Sequence, residues 1–207
     1  AAMPGQFITF EGIDGVGKST QLRRVATRLT GLGHSVICTR EPGGTPAAER
    51  IRELVLTGDQ HYAPASQWLL MSAARIAHAE ELIKPAIAAG HLVLCDRFID
   101  STSVYQGALG GIDQDQIDQL HTNTIGLWPD VTIVLDMANP VVRIDQRRDR
   151  NAFDDLALAR TVEMRTAFLR RVERYPSRCH IVDADDAPDR VTDTIMAVIE
   201  PCLATGS

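Results

Sequence analysis

Phe7-Ile-Thr-Phe-Glu-Gly-Ile-Asp-Gly-Val-Gly-Lys-Ser-Thr-Gln21 opens with an apolar, β-prone run and closes on residues that begin a helical pattern, with three glycines between them. Gly12 and Gly17 frame four residues ahead of Lys18-Ser19. At that spacing successive backbone N–H groups can turn inward around an anionic phosphate while a lysine reaches the terminal phosphate oxygens. The flanks meet the requirement for such a loop: Gln6 to Phe10 reads as a buried strand, and Leu22, Val25, Ala26 and Leu29 repeat at helical spacing after it. A chance glycine-rich turn would satisfy the glycines but not both flanks. The stretch therefore predicts nucleoside triphosphate binding through Gly12, Ile13, Asp14, Gly15, Val16, Gly17, Lys18, Ser19 and Thr20, with Ser19 a Mg²⁺ ligand.

Outward from this loop, apolar β-branched runs recur at Phe7 to Phe10, Ser35 to Cys38, Leu92 to Cys95, Val131 to Leu135 and Cys179 to Val182. Between them lie helical patterns at about 18–32, 46–57, 66–89, 113–126, 140–150, 154–174 and 188–203, with Pro85 expected to interrupt the third. Strands that are apolar throughout rather than alternating are those covered on both faces. The expected fold is a doubly wound α/β domain, a five-stranded parallel sheet with helices on both faces. No linker, repeat or low-complexity tract divides the 207 residues, so one domain over 1–207 is expected.

The net charge of −6 supplies no general field for nucleic acid or an anionic membrane, so anion binding must be local. No apolar run approaches the ~20 residues that cross a bilayer, and no charged-then-apolar leader is seen, which leads to the expectation of a cytoplasmic chain. The cysteines at 38, 95, 179 and 202 are widely spaced, and Cys38 and Cys95 in apolar runs are expected to be buried free thiols. His78-Ala-Glu80 matches half of a zinc deaminase signature, but the Pro-Cys-x-x-Cys half is missing, because Leu-Ala-Thr follows Cys202.

In a doubly wound sheet, ligands gather at the carboxyl ends of the strands. After the second strand stands Thr39-Arg40-Glu41-Pro42-Gly43-Gly44-Thr45, which also suits an ordinary strand-to-helix turn. After the third stand Asp96 and Arg97, then Ser101, Thr102, Tyr105 and Gln106. A carboxylate and a guanidinium at a strand end can offer a Mg²⁺ or water-ordering group beside a bidentate phosphate clamp, or simply form a structural ion pair. Arg143, Arg147 and Arg150 share one helix face by spacing, with Arg148 beside them; the interleaved Asp145 and Asp149 suit a solvated helix equally well.

Together these segments resemble the thymidylate kinase family over nearly the whole chain. The residues that carry the resemblance are Phe-Glu-Gly-Ile-Asp-Gly-Val-Gly-Lys-Ser-Thr at 10–20, Arg-Glu-Pro-Gly-Gly-Thr at 40–45, Ile-Arg at 51–52, Leu-Leu-Met-Ser-Ala-Ala-Arg at 69–75 and Asp-Arg-Phe-Ile-Asp-Ser-Thr-Ser-Val-Tyr-Gln-Gly at 96–107. The last string is the most specific. The resemblance implies transfer of the γ-phosphoryl of Mg-ATP to dTMP. Lys18 and Ser19 would meet ATP and Mg²⁺, Asp14 would meet the acceptor's sugar hydroxyl or its metal shell, and Arg97 would grip the acceptor phosphate. Arg52 and Glu41 would border that phosphate, Arg75 and Gln106 would address the thymine edge, and Ser101, Thr102 and Tyr105 would complete the base and sugar pocket. It further implies a nucleotide-monophosphate-binding region at about 40–110, a lid at about 143–156, and a homodimer.

Two departures from the family pattern stand out. Met71 occupies the place of a base-stacking phenylalanine, and Ala74 that of a residue often acidic. The phosphate loop carries Gly15 and Val16 where some relatives have an arginine. A transition-state cation must then come from elsewhere, which directs attention to Arg147, Arg148 and Arg150. Two other readings compete: a deoxynucleoside kinase, which would need a carboxylate base for a hydroxyl acceptor, and a nucleotide-binding regulatory protein. A guanine-reading Asn-Lys-x-Asp string is absent, which counts against a GTP switch.

Overall fold

A computed structural model describes residues 5–57, 62–138 and 160–204. The elements run β1 (Phe7–Glu11), α1 (Lys18–Gly31), β2 (Val36–Arg40), α2 (Pro46–Thr57), α3 (Pro64–His78), α4 (Lys84–Ala88), β3 (Leu92–Asp96), α5 (Ile99–Thr102), α6 (Gln114–Thr124), β4 (Val131–Asp136), α7 (Thr161–Arg174), β5 (Cys179–Asp183) and α8 (Pro188–Ala204). All five strands are parallel, in the order β2-β3-β1-β4-β5. The fold is the expected five-stranded α/β sheet with helical cover.

The central strand β1 is buried at every position. Its side chains divide between two cores, as period-two alternation requires. Phe7 joins Ile83, Val93, Cys95 and Phe98, whereas Ile8 and Phe10 join a larger cluster with Val25, Leu29, Phe168 and Ile195. Edge strand β2 is covered less, with its residues half-buried or exposed. Cys38, expected to be buried, is exposed for this reason, while Cys95 and Cys179 are buried and Cys202 is intermediate. An apolar run does not reveal whether its strand will lie at the centre or the edge of the sheet.

The pairing register brings three strand ends level. Phe10 pairs with Asp96, and Asp96 pairs with Arg40, which aligns β1, β3 and β2 at their carboxyl ends. Backbone bonds continue past the strands, from Arg97 N to Phe10 O at 2.9 Å and from Glu41 N to Asp96 O at 2.9 Å. The phosphate loop, the Arg-Glu-Pro turn and the Asp-Arg turn are thereby brought to one edge.

The interruption expected at Pro85 takes the form of a π-helical turn over Ala79–Ile83, between α3 and α4. Proline lacks the N–H that an α-helical turn would use, and widening the preceding turn accommodates the loss. A helical stretch not anticipated from the sequence is α5, which continues through a π-helical segment, Ser103–Ala108. The expected helix at 140–150 and the lid at 143–156, with Arg143, Arg147, Arg148 and Arg150, lie outside the described residues.

Candidate active site

The phosphate loop joins β1 to α1, and its glycines adopt conformations that side-chain-bearing residues avoid. Gly12 has φ +128°, and a Cβ there would stand 2.4 Å from the Leu135 carbonyl oxygen. Gly17, at φ +98°, is the residue from which α1 starts. Ile13 and Val16 are buried and anchor the loop from beneath. Lys18 is also buried, and its Nζ donates to the carbonyls of Gly12 at 3.0 Å and Ile13 at 2.9 Å. Burial and the nearby Arg97 charge push its pKa down to about 8, against the pull of Asp14, Asp96 and Glu11.

Across the sheet edge stands Arg97, whose φ of +69° turns the chain sharply at the end of β3. Its Nη2 donates to Asp14 Oδ1 at 2.9 Å and its Nη1 to Ser101 Oγ at 2.9 Å. Tyr105 donates its hydroxyl to Asp14 Oδ2 at 3.0 Å. Burial alone would raise the Asp14 carboxyl, but Arg97 and Lys18 outweigh it and hold the group ionised, well below the usual carboxylate range. Ser19 donates to Asp96 Oδ2 at 2.6 Å, so the hydroxyl and carboxylate considered as metal ligands are adjacent.

Glu41 is buried and accepts from Arg75 Nε at 2.7 Å, and its Oε1 lies 3.1 Å from His78 Nδ1. Arg75 also donates to the Phe98 carbonyl at 3.2 Å and to Thr102 Oγ1 at 2.9 Å. His78, half of the deaminase-like fragment, is thus engaged by Glu41 and by Thr39 Oγ1 at 2.7 Å. Arg52 donates to the Pro42 carbonyl at 2.7 Å. Its pKa is lowered by burial and by the like charges of Arg40 and Arg97, which marks a concentration of positive charge at the cleft.

Two clefts open at this edge. One is lined by Gly15, Gly17, Lys18 and Thr20 of the phosphate loop. The other takes Arg52, Met71, Arg75, Thr102, Tyr105 and Gln106, with Leu56 and Phe98 adding apolar surface. Asp14, Ser19, Asp96 and Arg97 belong to both. Two compartments meeting at a cation and two carboxylates can hold two anionic ligands end to end.

A family model described as Thymidylate kinase matches residues 10–195. The chain belongs to the thymidylate kinase family. Among its thymidylate kinase relatives, that of Caulobacter vibrioides is 45% identical over 199 residues, covering 94% of this chain and 96% of the relative. The thymidylate kinase of Ruegeria pomeroyi is 43% identical over 200 residues, covering 94% of each. The crystal structure of thymidylate kinase from Ehrlichia chaffeensis superposes with a TM-score of 0.78 at 35% identity, over 95% of this chain and 99% of that one.

Every sequence-derived thymidylate kinase site residue among the described positions lines one of the clefts, except Gly12, Ile13 and Val16, which shape the loop. Arg75 was expected to address a base. It lines the cleft, and its Nε and Nη2 are engaged by Glu41, Phe98 and Thr102, so the same side chain also orders the pocket wall. Glu11 was given no role by sequence reasoning. It is fully buried and accepts from Phe98 N, Ser101 N and Ser101 Oγ at the site's edge. A lone carboxylate ending an otherwise uncharged strand was the available signal.

Proposed function

We propose that this chain phosphorylates dTMP, moving the γ-phosphoryl of ATP onto the 5′-phosphate to give dTDP and ADP. The observation that carries the reading is the meeting of a phosphate-loop cleft and a base-sized cleft at Asp14, Ser19, Asp96 and Arg97. A switch protein needs one nucleotide cleft, whereas transfer between nucleotides needs two that share a reacting edge. The cations Arg52 and Arg97 on the acceptor side favour an acceptor that is already phosphorylated over a nucleoside.

In this mechanism the loop N–H groups and Lys18 hold the ATP phosphates, and Lys18 follows charge toward the transferring group. Arg97 grips the acceptor phosphate, with Arg52 beside it, and Asp14 holds Arg97 in place while Tyr105 closes the sugar side. An acceptor phosphate is largely ionised at neutral pH, so no general base is required. Positioning and charge neutralisation do the work.

Ser19 and Asp96, hydrogen-bonded to one another beside the loop with Asp14 near, are hard oxygen donors of the kind Mg²⁺ takes when phosphates and water complete its shell. When bound there it would neutralise charge on the phosphates. Arg147, Arg148 and Arg150 are proposed to supply lid cations. We also assign the chain a homodimeric state, which the exposed Leu54 and Leu69 on packed helices α2 and α3 support, and a cytoplasmic role, which accords with free thiols.

The test is ADP release from Mg-ATP with dTMP, dUMP, dCMP, dGMP, AMP and thymidine presented in parallel. Stimulation by dTMP above the rest is expected. Stimulation by thymidine rather than dTMP would move the chain to the deoxynucleoside kinases, and stimulation by none would make it a binding protein. Light scattering after size-exclusion chromatography checks the dimer, and a single monomer peak would reject it.

A further inference from the structure

We propose that Glu11 is a positioning residue for the acceptor-phosphate grip, fixing the turn that carries Arg97 and orienting its guanidinium through Ser101. The inference rests on the reading of Arg97 as the acceptor-phosphate ligand. Glu11 ends β1 with no exposed surface, and its two oxygens take three bonds from the segment immediately after Arg97. Oε1 accepts from Phe98 N at 2.8 Å and Ser101 N at 3.1 Å, and Oε2 accepts from Ser101 Oγ at 2.7 Å. Because that hydroxyl donates its proton to Glu11, its lone pairs face Arg97 Nη1 at 2.9 Å. Asp14 holds the other end of the same guanidinium. Arg97 is therefore fixed at both Nη atoms, on one side by Asp14 of the glycine-rich loop and on the other by β1 through Ser101.

The carboxylate is placed where its charge is costly. Burial and neighbouring Asp100 raise its pKa to about 7, while Arg97 and the Ser101 and Phe98 hydrogen bonds lower it. The titratable groups that face it are Asp100 and Tyr105 from the helical segment after β3, Arg97 from the turn before that segment, Lys18 from α1 and Cys95 from β3. Ionised Glu11 accepts the Ser101 proton and attracts Arg97. Protonated Glu11 donates to Ser101 instead, and the hydroxyl's lone pairs are then shared between Glu11 and Arg97. Glu11→Gln preserves an acceptor for the two backbone N–H groups but places an amide donor against Ser101.

The experiment is steady-state kinetics on wild type, Glu11→Gln and Ser101→Ala from pH 6 to 9, with melting temperatures at each pH. For Glu11→Gln at pH 8 the expected KM for dTMP rises about tenfold, comparable to losing one charge-assisted hydrogen bond, while that for ATP stays within about twofold. Its melting temperature at pH 8 should match or exceed wild type, since a buried charge is gone. In wild type, the dTMP KM should climb as pH falls through about 7 beyond what substrate titration explains, and Glu11→Gln should lack this extra rise. Ser101→Ala, which cuts the relay while leaving Glu11 its backbone partners, should raise the dTMP KM in the same direction.

An unchanged acceptor KM and pH profile in Glu11→Gln would overturn the proposal, as would a loss in which both KM values and melting temperature worsen together. If wild type shows no dTMP-dependent ADP release, it is the functional reading that fails. Glu11 is then decided without turnover, by NMR of the arginine side chains. Arg97 Nη protons slowed in wild type and freed in Glu11→Gln support the role, and equal rates in the two reject it.

Discussion

Asp96-Arg97 and Asp100 lie within five residues of one another, yet they serve two clusters of buried charge, of which only the first borders the clefts. Asp100 accepts from Arg171 Nε at 2.8 Å and from both Nη atoms of Arg178 at 2.8 and 2.7 Å. Arg171 turns its other two nitrogens to Asp118, each at 2.9 Å, and Tyr175 donates to Asp118 at 2.6 Å. Trp128 and Tyr175 cover the Arg178 guanidinium, with ring centroids 5.0 and 4.7 Å from it. Two carboxylates thus face two buried guanidiniums, Arg174 reaches Asp118 from the surface at 3.3 Å, and the cluster lines neither cleft. At the Arg97 end, Lys18, Arg52 and Arg97 press like charges together at the edges of open clefts. Burial of charge does not identify a site; charge at the rim of an accessible cleft does.

That contrast can be broken from either side. The largest effect is expected at Lys18→Ala, where turnover should fall by at least ~10²- to 10³-fold, the loss seen when a preorganised charge-stabilising donor is removed. Its melting temperature should stay near wild type, and turnover within tenfold of wild type would end the role given to Lys18. Asp118→Ala should do the reverse. Removing one partner of a buried ion pair costs about 3–5 kcal/mol, or roughly 10 °C in melting temperature for a chain of this size. Turnover per folded molecule should remain within about threefold by the measure of Lys18→Ala, because Asp118 touches neither cleft. If both variants lose activity and stability together, the two clusters are one.

A pH titration of stability sharpens the comparison further. Burial would raise the Asp100 carboxyl, but Arg178 and Arg171 hold it at about 2, below its ordinary 3.8. A depressed carboxylate contributes stability that is present above the unfolded value and lost as pH falls toward the folded one. The loss between about pH 4 and pH 2 should amount to ~2 kcal/mol from this group. Denaturant midpoints across that window check it, against an Asp100→Asn control whose midpoint changes less. Glu11 runs the other way. With its pKa raised, the native state binds the extra proton, so its contribution declines as pH rises from about 4.5 to 7.

The smallest effect is expected at Met71, which lines the cleft proposed for the acceptor. A thioether there makes apolar contact without a flat face, and Met71→Phe should tighten dTMP by about 0.5–1.5 kcal/mol, the increment typical of aromatic pairing. The ratio of kcat/KM for dTMP over dUMP measures it, and a ratio that falls would show that methionine fits this pocket better than a ring.

How far the site could be read ahead of the structure depends on the range of the forces involved. The glycine-rich loop between β1 and α1 was legible because its requirements are local: glycines at positive φ, a lysine and serine at set spacing, a strand before and a helix after. The sheet was legible because continuous apolar runs between helical periods admit few other arrangements. What escaped was set by partners distant in sequence. Cys38 lost its cover because β2 lies at the edge, and the helical turn at 99–102 was obscured by Ser101, Thr102 and Ser103. No helical period marked those residues, and Glu11, ninety positions before Ser101, accepts the Phe98 and Ser101 N–H groups where the turn begins.

The sequence by itself determined the class of fold, the glycine-rich turn between β1 and α1 and the resemblance that named the family, since each depends on neighbours within a few residues or on strings long enough to be specific. Only the tertiary structure decided which charges reach a cleft. Arg97 and Arg171 are the same residue type with the same pKa in isolation. Parallel pairing of β1 with β3 sets one of them at the rim of two clefts, while packing of α7 against the segment after β3 encloses the other between Asp100 and Asp118.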